Sequence, residues 1–310
     1  MHATSSSRRR SPADLVALDW GSSSLRAYLL GEGGQILDRR SEPWGILQLP
    51  EGDFRGAFDR ITAGWSSASA PVPAIASGMV GSAQGWIEAA YVDLPAGAEQ
   101  LARGLAPVPD TPLRIVPGIA QRGSSPDVMR GEETQIVGAL TAKPELGDAL
   151  VVLPGTHSKW VRLSAGRVRE FTTYMTGELF AVLRAHSILG RLAPVGTGDS
   201  GAGDAAFARG VLAAQRSAGG LAPLLFSARA SVLVGDLPAA SSLEFLSGLL
   251  IGDELRAGLA AGQAPAALIG DPALCARYVA ALEQLGISDV PILADAAPAG
   301  LWAIAQHASR

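Results

Sequence analysis

Asp19 stands near the end of an apolar run, two residues before Gly21, Ser22, Ser23 and Ser24, and Arg26 follows in a second apolar run (residues 15–30, LVALDWGSSSLRAYLL). Small side chains in a tight turn leave backbone N–H groups and hydroxyls able to approach an anion. A carboxylate beside such a grip repels phosphate itself, but it can hold Mg²⁺ or a metal-bound water. The plainer alternative is an ordinary hairpin whose Asp caps its turn. A second small-residue turn, Gly155, Thr156, His157, Ser158 and Lys159, follows the apolar residues 148–154. Between the two lies a loop with Ser77, Gly78, Met79, Gly81, Ser82, Gln84, Gly85 and Trp86, and Tyr91 just beyond it. Backbone donors freed by glycine, set beside flat rings, suit a sugar's hydroxyls and faces; the alternative is a surface loop in which Trp86 is a buried plug. Glu132 and Glu133 follow Gly131 at the start of a helical pattern, where acids are ordinarily favourable partners of the helix dipole.

The elements that must position these groups can be read from periodicity. Residues 15–30 read as a hairpin, and GEGG at 31–34 turns the chain into a third strand over 35–40, so three meandering antiparallel strands are expected. Helical spacing covers residues 54–68, strands are expected over 72–76 and 112–117, and residues 118–125 read as a glycine-containing turn. Residues 148–154 (DALVVLP) read as a buried strand before the second turn, which leads into WVRL. A strand, a small-residue turn and a strand, occurring twice, point to internal duplication and to a two-lobed nucleotide-binding protein. Further helices are expected from about residue 177, with Leu179, Phe180, Leu183 and Ile188 apolar and Thr176 as cap, over 204–215 and 242–261, both read mostly as core, and over 273–285. A strand over 264–269 leads into the turn Gly270, Asp271 and Pro272, and apolar residues 291–294 and 300–306 end the chain.

Composition bounds the function classes. A chain of 310 residues with 48% hydrophobic residues can bury a large core and suggests two domains. A net charge of -4 offers no basic surface for nucleic acid or anionic membrane, and Arg8, Arg9 and Arg10 sit in a polar leader without a signal peptide's apolar segment. The single cysteine, Cys275, fits a reducing cytoplasm, and the four histidines have no zinc-ligand spacing. No apolar run is long enough to span a bilayer.

The ordered blocks DWGSSSLRAYL, GMVGSAQGWIEAAYVDLPA, MRGEETQIVGA, LPGTHSKWV and MTGELFAVLRAHSILGR resemble the 2-dehydro-3-deoxygalactonokinase family of the sugar kinase, Hsp70 and actin superfamily. The resemblance implies an α/β fold: a two-lobed actin-like ATPase (ribonuclease H-like) fold, each lobe a mixed β-sheet flanked by helices, with the active-site cleft between lobes. Residues 1–14 would be a disordered tail, 15–128 lobe I with 295–310 packing back on it, and 129–294 lobe II. The implied partners are ATP, Mg²⁺ and a 2-keto-3-deoxy sugar acid; a homodimer is left open. ATP phosphates would then lie between Gly21, Ser22, Ser23, Ser24 and Arg26 on one side and Gly155, Thr156, His157, Ser158 and Lys159 on the other. Thr156 and Ser158 would be side-chain donors and Lys159 a source of charge, although His157 and Lys159 read equally well as surface polarity on a turn. Gly270, Asp271 and Pro272 resemble the superfamily's adenosine-binding turn.

One departure matters: where much of the superfamily opens its second hairpin with an Asp, this chain has Leu153 and Pro154. Only Asp19 remains of the usual carboxylate pair, so another acid must handle the substrate proton. RGEETQIVGAL resembles the Gly-x-Glu-Glu-Ala helix start of exopolyphosphatases, which implies Glu132 or Glu133 as the base. A glycine immediately before Glu132 favours that residue as the one nearest the sugar hydroxyl. An ATP-hydrolysing or sugar-sensing regulator on the same fold is the alternative function.

Overall fold

The computed structural model describes residues 14–66, 71–192 and 200–309; residues 1–13, most of the expected tail, lie outside them. In chain order the first elements are β1 (Leu15–Trp20), β2 (Leu25–Leu30), β3 (Ile36–Glu42), α1 (Phe54–Ile61), β4 (Ala74–Ser77), β5 (Val92–Asp93) and α2 (Ala98–Arg103). They are followed by β6 (Ala106–Pro107), β7 (Leu113–Ile115), β8 (Ile119–Gln121), β9 (Asp127–Met129) and α3 (Glu132–Ala142). The next run comprises β10 (Leu150–Leu153), β11 (Ser158–Ser164), β12 (Arg167–Tyr174), α4 (Thr176–His186), α5 (Ser200–Arg216), α6 (Ser227–Leu233) and α7 (Ser242–Gly258). The last are β13 (Ala267–Ile269), α8 (Pro272–Glu283), β14 (Ile292–Leu293) and α9 (Ala297–Ala308).

Two compact units result. Of the described residues, unit 1 takes those within Met1–Glu145, Gly166–Arg169 and Asp295–Arg310, and unit 2 those within Leu146–Ala165 and Glu170–Ala294. The main boundary falls after α3, and not before it as the expected division at 128/129 would have it, because α3 packs against α9.

Among the described residues, unit 1 holds a sheet in the order β3-β2-β1-β4-β7-β6, and the sheet of unit 2 runs β12-β11-β10-β13-β14. In each, an antiparallel hairpin (β1 with β2, β10 with β11) is flanked by a parallel neighbour (β4, β13). The duplication read from the two turns therefore extends to strand order and direction.

Alternation decides what each face of β1 meets. Val16, Leu18 and Trp20, with Leu25 and Ala27 of β2, bury against Ala57, Phe58 and Ile61 of α1. Ala17 and Asp19 fall on the opposite face, since successive side chains on a strand point to opposite sides. α9 packs on β1 and β4 and lies against α3. That last contact is backbone on backbone: a Cβ at Gly138 would lie 1.9 Å from the Ala296 carbonyl oxygen, and one at Gly300 would lie 1.9 Å from that of Thr134. In unit 2, α7 lies along α5, and Leu150 and Val152 of β10 join Phe207, Ile251 and Tyr278 in a core.

Several expectations need correction. Residues 118–125 are not simply a turn, because Ile119–Gln121 pair antiparallel with Asp127–Met129 as a hairpin. The helix expected over 54–68 stops at Ile61, and the hydroxyl of Thr62 donates to the Phe58 carbonyl at its end; residues 67–70 lie outside the described residues. Ile188 lies beyond the end of α4, and both it and Leu179 are exposed. Thr176 is the first helical residue of α4 rather than its cap, which is Met175. α6 carries no signal that the periodicity picked out. Among the described residues no helix is long and apolar enough to cross a membrane.

The α3–α9 contact leaves no room for a methyl group. Gly138→Ala and Gly300→Ala should each destabilise unit 1 by about 1–3 kcal/mol, the usual cost of overpacking. Both act on one contact, so the double variant should cost less than the sum of the two. Thermal unfolding measures this; unchanged midpoints in both single variants would refute the close approach.

Candidate active site

In unit 1 the candidate residues gather where β1 and β4 end. Asp19 is in register with Arg26 on one side and Ser77 on the other, so the three side chains share one face of the sheet. Arg26 Nη1 lies 3.6 Å from Asp19 Oδ2. Burial raises the pKa of Asp19, Arg26 opposes that rise, and the charge of Asp295, at the entrance to α9, adds to it. Ser77 is fully buried, and its hydroxyl finds no hydrogen-bond partner among the described residues. An unsatisfied buried hydroxyl is costly and calls for a ligand or a water.

The turn after β1 is closed by the Gly21 N–H donating to the Ser24 carbonyl at 3.0 Å. It is braced from outside: Ile46 and Leu47 donate to the carbonyls of Gly21 and Ser22, and a Cβ at Gly45 would lie 2.2 Å from the Ser23 nitrogen. A Cβ at Gly21 would meet only the Ser24 carbonyl oxygen, at 3.8 Å, so that side is open. Gly78 (φ 96°) and Gly131 (φ 110°) take backbone angles that L side chains rarely adopt. A Cβ at Gly78 would lie 2.7 Å from the Trp20 carbonyl oxygen, and one at Gly131 would lie 3.4 Å from the Gly78 Cα. The ends of β1 and β4 and the start of α3 therefore converge.

The two glutamates at that helix start occupy different environments. Glu133 lies on the buried face with Thr134, Ile136 and Val137, whereas Glu132 is half-buried. Glu133 accepts from the Gly131 N–H at 2.6 Å and from the Thr134 hydroxyl at 3.2 Å. Burial, with the neighbouring Glu132 charge, pushes its pKa up to about 7 against these bonds. Glu132 accepts from the Arg130 N–H at 3.0 Å. The helix phase thus buries Glu133 and leaves Glu132, the residue next to the glycine, half-buried.

The loop after β4 folds on itself. The Trp86 N–H donates to the Val80 carbonyl, the Ser82 hydroxyl donates to the Met79 carbonyl at 2.8 Å, and a Cβ at Gly85 would lie 2.1 Å from the Val80 oxygen. Gly81 is buried, Met79 is half-buried and Gln84 is exposed. The half-buried Trp86 ring stacks on Phe54 with centroids 6.2 Å apart and meets Trp20 edge-on. Tyr91 lies under the Arg130 guanidinium, 4.4 Å from the ring centre, and Arg130 in turn donates to the Ala89 carbonyl.

In unit 2 the turn between β10 and β11 exposes Thr156 and His157. A Cβ at Gly155 would meet only the backbone of His157, at 3.8 Å. The start of α4 braces this turn, with the Glu178 N–H donating to the Thr156 carbonyl at 3.0 Å. His157 Nε2 lies 2.5 Å from Glu178 Oε2. Two expected side-chain contacts to phosphate need correction here. Ser158 is fully buried and donates to Glu254 at 2.6 Å, and Lys159 is buried with its ammonium donating to the Thr173 hydroxyl at 2.7 Å. Ser158 and Lys159 are consecutive residues at the start of β11, so they point to opposite faces of the sheet, and both faces are covered there. Beside the turn, Gly270 (φ 143°) ends β13, and a Cβ there would lie 3.6 Å from the Pro154 carbonyl oxygen. Asp271 caps α8 by accepting from the Leu274 N–H at 2.9 Å, and Pro272 takes the first helical position. Two acids escaped the sequence reading. Glu254 could have been noticed as a carboxylate inside the apolar run SGLLIGDEL, whereas nothing in the pattern marks Asp295.

Residues 19–304 match the family model described as 2-keto-3-deoxy-galactonokinase. The chain is 42% identical over 298 residues to a Rhizobium meliloti (strain 1021) protein named probable 2-dehydro-3-deoxygalactonokinase DgoK1, covering 94% of this chain and 96% of that one. It is 36% identical over 297 residues to the 2-dehydro-3-deoxygalactonokinase of Escherichia coli (strain K12), covering 94% and 98%. A crystal structure from Sinorhizobium meliloti that carries the same enzyme name superposes with a TM-score of 0.84 at 40% identity, over 94% of this chain and 98% of that one. The duplicated sheets are those of the actin-like ATPase fold. With the match running from Asp19 nearly to the end of α9, the chain belongs to the 2-keto-3-deoxy-galactonokinase family.

Proposed function

We propose that this chain transfers the γ-phosphoryl group of ATP to the C6 hydroxyl of 2-dehydro-3-deoxy-D-galactonate, giving 2-dehydro-3-deoxy-6-phosphogalactonate. The observation that carries the mechanism is the convergence, in unit 1, of a strand-end carboxylate with a buried glutamate that titrates near neutrality. A general base works best when its pKa lies near the operating pH, and Glu133 meets that condition. As the hydroxyl oxygen bonds to the γ-phosphorus and the bond to the ADP oxygen breaks, the hydroxyl proton passes to Glu133.

The residues present fit Mg²⁺. It takes oxygen ligands and keeps several waters, and Asp19 with the unsatisfied hydroxyl of Ser77 supplies such a set directly or through water. When bound, the ion supplies charge neutralisation for the phosphates. The exposed turn of Gly155, Thr156 and His157 is assigned to the nucleotide's phosphates, and the Gly270 turn to its adenosine, where glycine allows close approach. The open turn of Gly21, Ser22, Ser23 and Ser24, with Arg26 behind it, is a second phosphate contact. For the acceptor, the loop from Ser77 to Gln84 is assigned, with Tyr91 as the flat face since Trp86 is held in the aromatic cluster.

A coupled assay of ADP release tests the activity. Release should depend on 2-keto-3-deoxygalactonate, with a higher kcat/KM than for its gluconate epimer; equal release with no acceptor would make the chain an ATPase instead. Asp19→Asn should lower kcat by at least about a hundredfold, in line with loss of an electrostatic stabiliser, while leaving the sugar-acid KM nearly unchanged. Wild-type turnover in that variant would remove Asp19 from the mechanism.

The glutamates are separable by pH. Below about 7 Glu133 carries a proton and cannot accept another, so kcat/KM should rise with pH through that region and level off above it. Glu133→Gln should lower kcat by about 10²–10⁴-fold and abolish this limb, whereas Glu132→Gln should retain it. A normal limb in the Glu133 variant would place the base elsewhere.

A further inference from the structure

Glu254 of α7 is 2% exposed, and a carboxylate that deep is tolerable only if its oxygens are satisfied. Donors reach it from three other elements. On Oε1 they are the Ser158 hydroxyl at 2.6 Å and the Trp160 indole N–H at 2.8 Å, both from β11. On Oε2 they are the Thr176 hydroxyl from the first residue of α4 and the Tyr278 hydroxyl, at 2.6 Å, from α8. Burial and the Glu254 charge push the Tyr278 pKa well up, so that hydroxyl keeps its proton.

The places from which these donors come tie the acid to the nucleotide turns. Ser158 is the residue on which the chain leaves the exposed turn of Gly155, Thr156 and His157. Thr176 precedes Gly177, where a Cβ would lie 2.6 Å from the Gly155 carbonyl oxygen, so the start of α4 forms the back wall of that turn. Tyr278 lies on α8, the helix that begins directly after the Gly270 turn. One carboxylate thus pins the strand leaving the phosphate turn, the helix bracing it and the helix of the adenosine turn. We propose that Glu254 is a positioning residue for the nucleotide, holding both turns in their binding shape before ATP arrives; this rests on the kinase reading.

The substitutions that test it follow from the donor types. In Glu254→Gln the amide oxygen can face Ser158 and Trp160. The amide nitrogen can donate to the Thr176 and Tyr278 hydroxyls, which can turn round and accept. Glu254→Leu leaves all four donors unmet. ADP affinity should fall about ten- to a hundredfold in Glu254→Leu, the scale expected when a group remote from the chemistry lets a site shift. The Gln variant should stay within about threefold of wild type, as expected when hydrogen bonds are kept. Titration calorimetry with ADP reads both, and the sugar-acid KM should remain unchanged in both, because the residues assigned to the acceptor lie in unit 1.

If the Leu variant does not fold, Tyr278→Phe, which removes one donor, should still weaken ADP several-fold with the sugar-acid KM intact. A lower melting temperature with unchanged ADP affinity would overturn the proposal, since a purely structural residue reduces the folded fraction and not the affinity of what is folded. A Gln variant as impaired as the Leu variant would overturn it too, because the hydrogen-bonded geometry would then not be what matters. Failure of wild type to bind ADP would instead bring down the kinase reading.

Discussion

Burying a carboxylate is costly, and each unit of this protein is arranged around one buried glutamate whose surroundings decide what it can do. Glu254 receives four donors drawn from β11, α4 and α8, among them an indole and a phenol that can only be placed by well-formed secondary structure. Glu133 receives only backbone N–H groups of its own helix start and one longer hydroxyl bond from the adjacent Thr134, and shares its helix turn with a second acid. Full satisfaction ties a charge into the scaffold; partial satisfaction leaves a group whose proton is easily exchanged. The same residue type is therefore a fastener in unit 2 and a titratable group in unit 1.

What was legible in the sequence follows from the range of the interactions concerned. Local signals located β1, the turn after it, β2 and the start of α3, because alternation, small turn residues and a glycine before two acids are all contained within a few positions. The duplication was visible for the same reason, as a short pattern occurring twice. Ser158 and Lys159 were misread because their orientation is set by distant partners: the carboxylate that Ser158 meets is 96 residues away. The burial of Glu133 and not of Glu132 was illegible for a subtler reason. Ile136 lies four residues after one and Val137 four after the other, and both are buried, so periodicity alone could not say which glutamate shares their face. The β8–β9 hairpin went unseen because three-residue strands hardly alternate, and Trp86 because an aromatic in a glycine loop reads alike whether it faces a ligand or Phe54.

Comparing the two copies of the repeat shows how the labour is divided. Asp19 is in register with Arg26, the second residue of β2, and Leu153 is in register with Lys159, the second residue of β11. The parallel neighbours end alike as well: Ser77 precedes Gly78, whose Cβ would crowd the Trp20 carbonyl, and Ile269 precedes Gly270, whose Cβ would approach that of Pro154. Each copy thus keeps a basic residue opposite the strand end and a positive-φ glycine beside the turn. They differ in the two side chains that carry chemistry. Unit 1 has Asp19 and Ser77 where unit 2 has Leu153 and Ile269, both buried in apolar surroundings.

The basic residues of the two hairpins differ in setting: opposite Leu153, the Lys159 side chain is buried and its ammonium donates to the Thr173 hydroxyl. Arg26, facing Asp19, instead stays more than half exposed. Unit 2 has kept the turns, the close-packed glycine and the bracing helix, whose backbone groups would serve phosphate in the proposed function. An anion is bound well by such a cradle and would be repelled by an acid placed in it. The buried acid near its turns, Glu254, is held behind them by four donors. Loss of the second strand-end carboxylate is therefore compatible with the nucleotide role proposed for unit 2, and under that proposal proton handling falls to the helix start in unit 1, where Glu133 is buried beside a second acid.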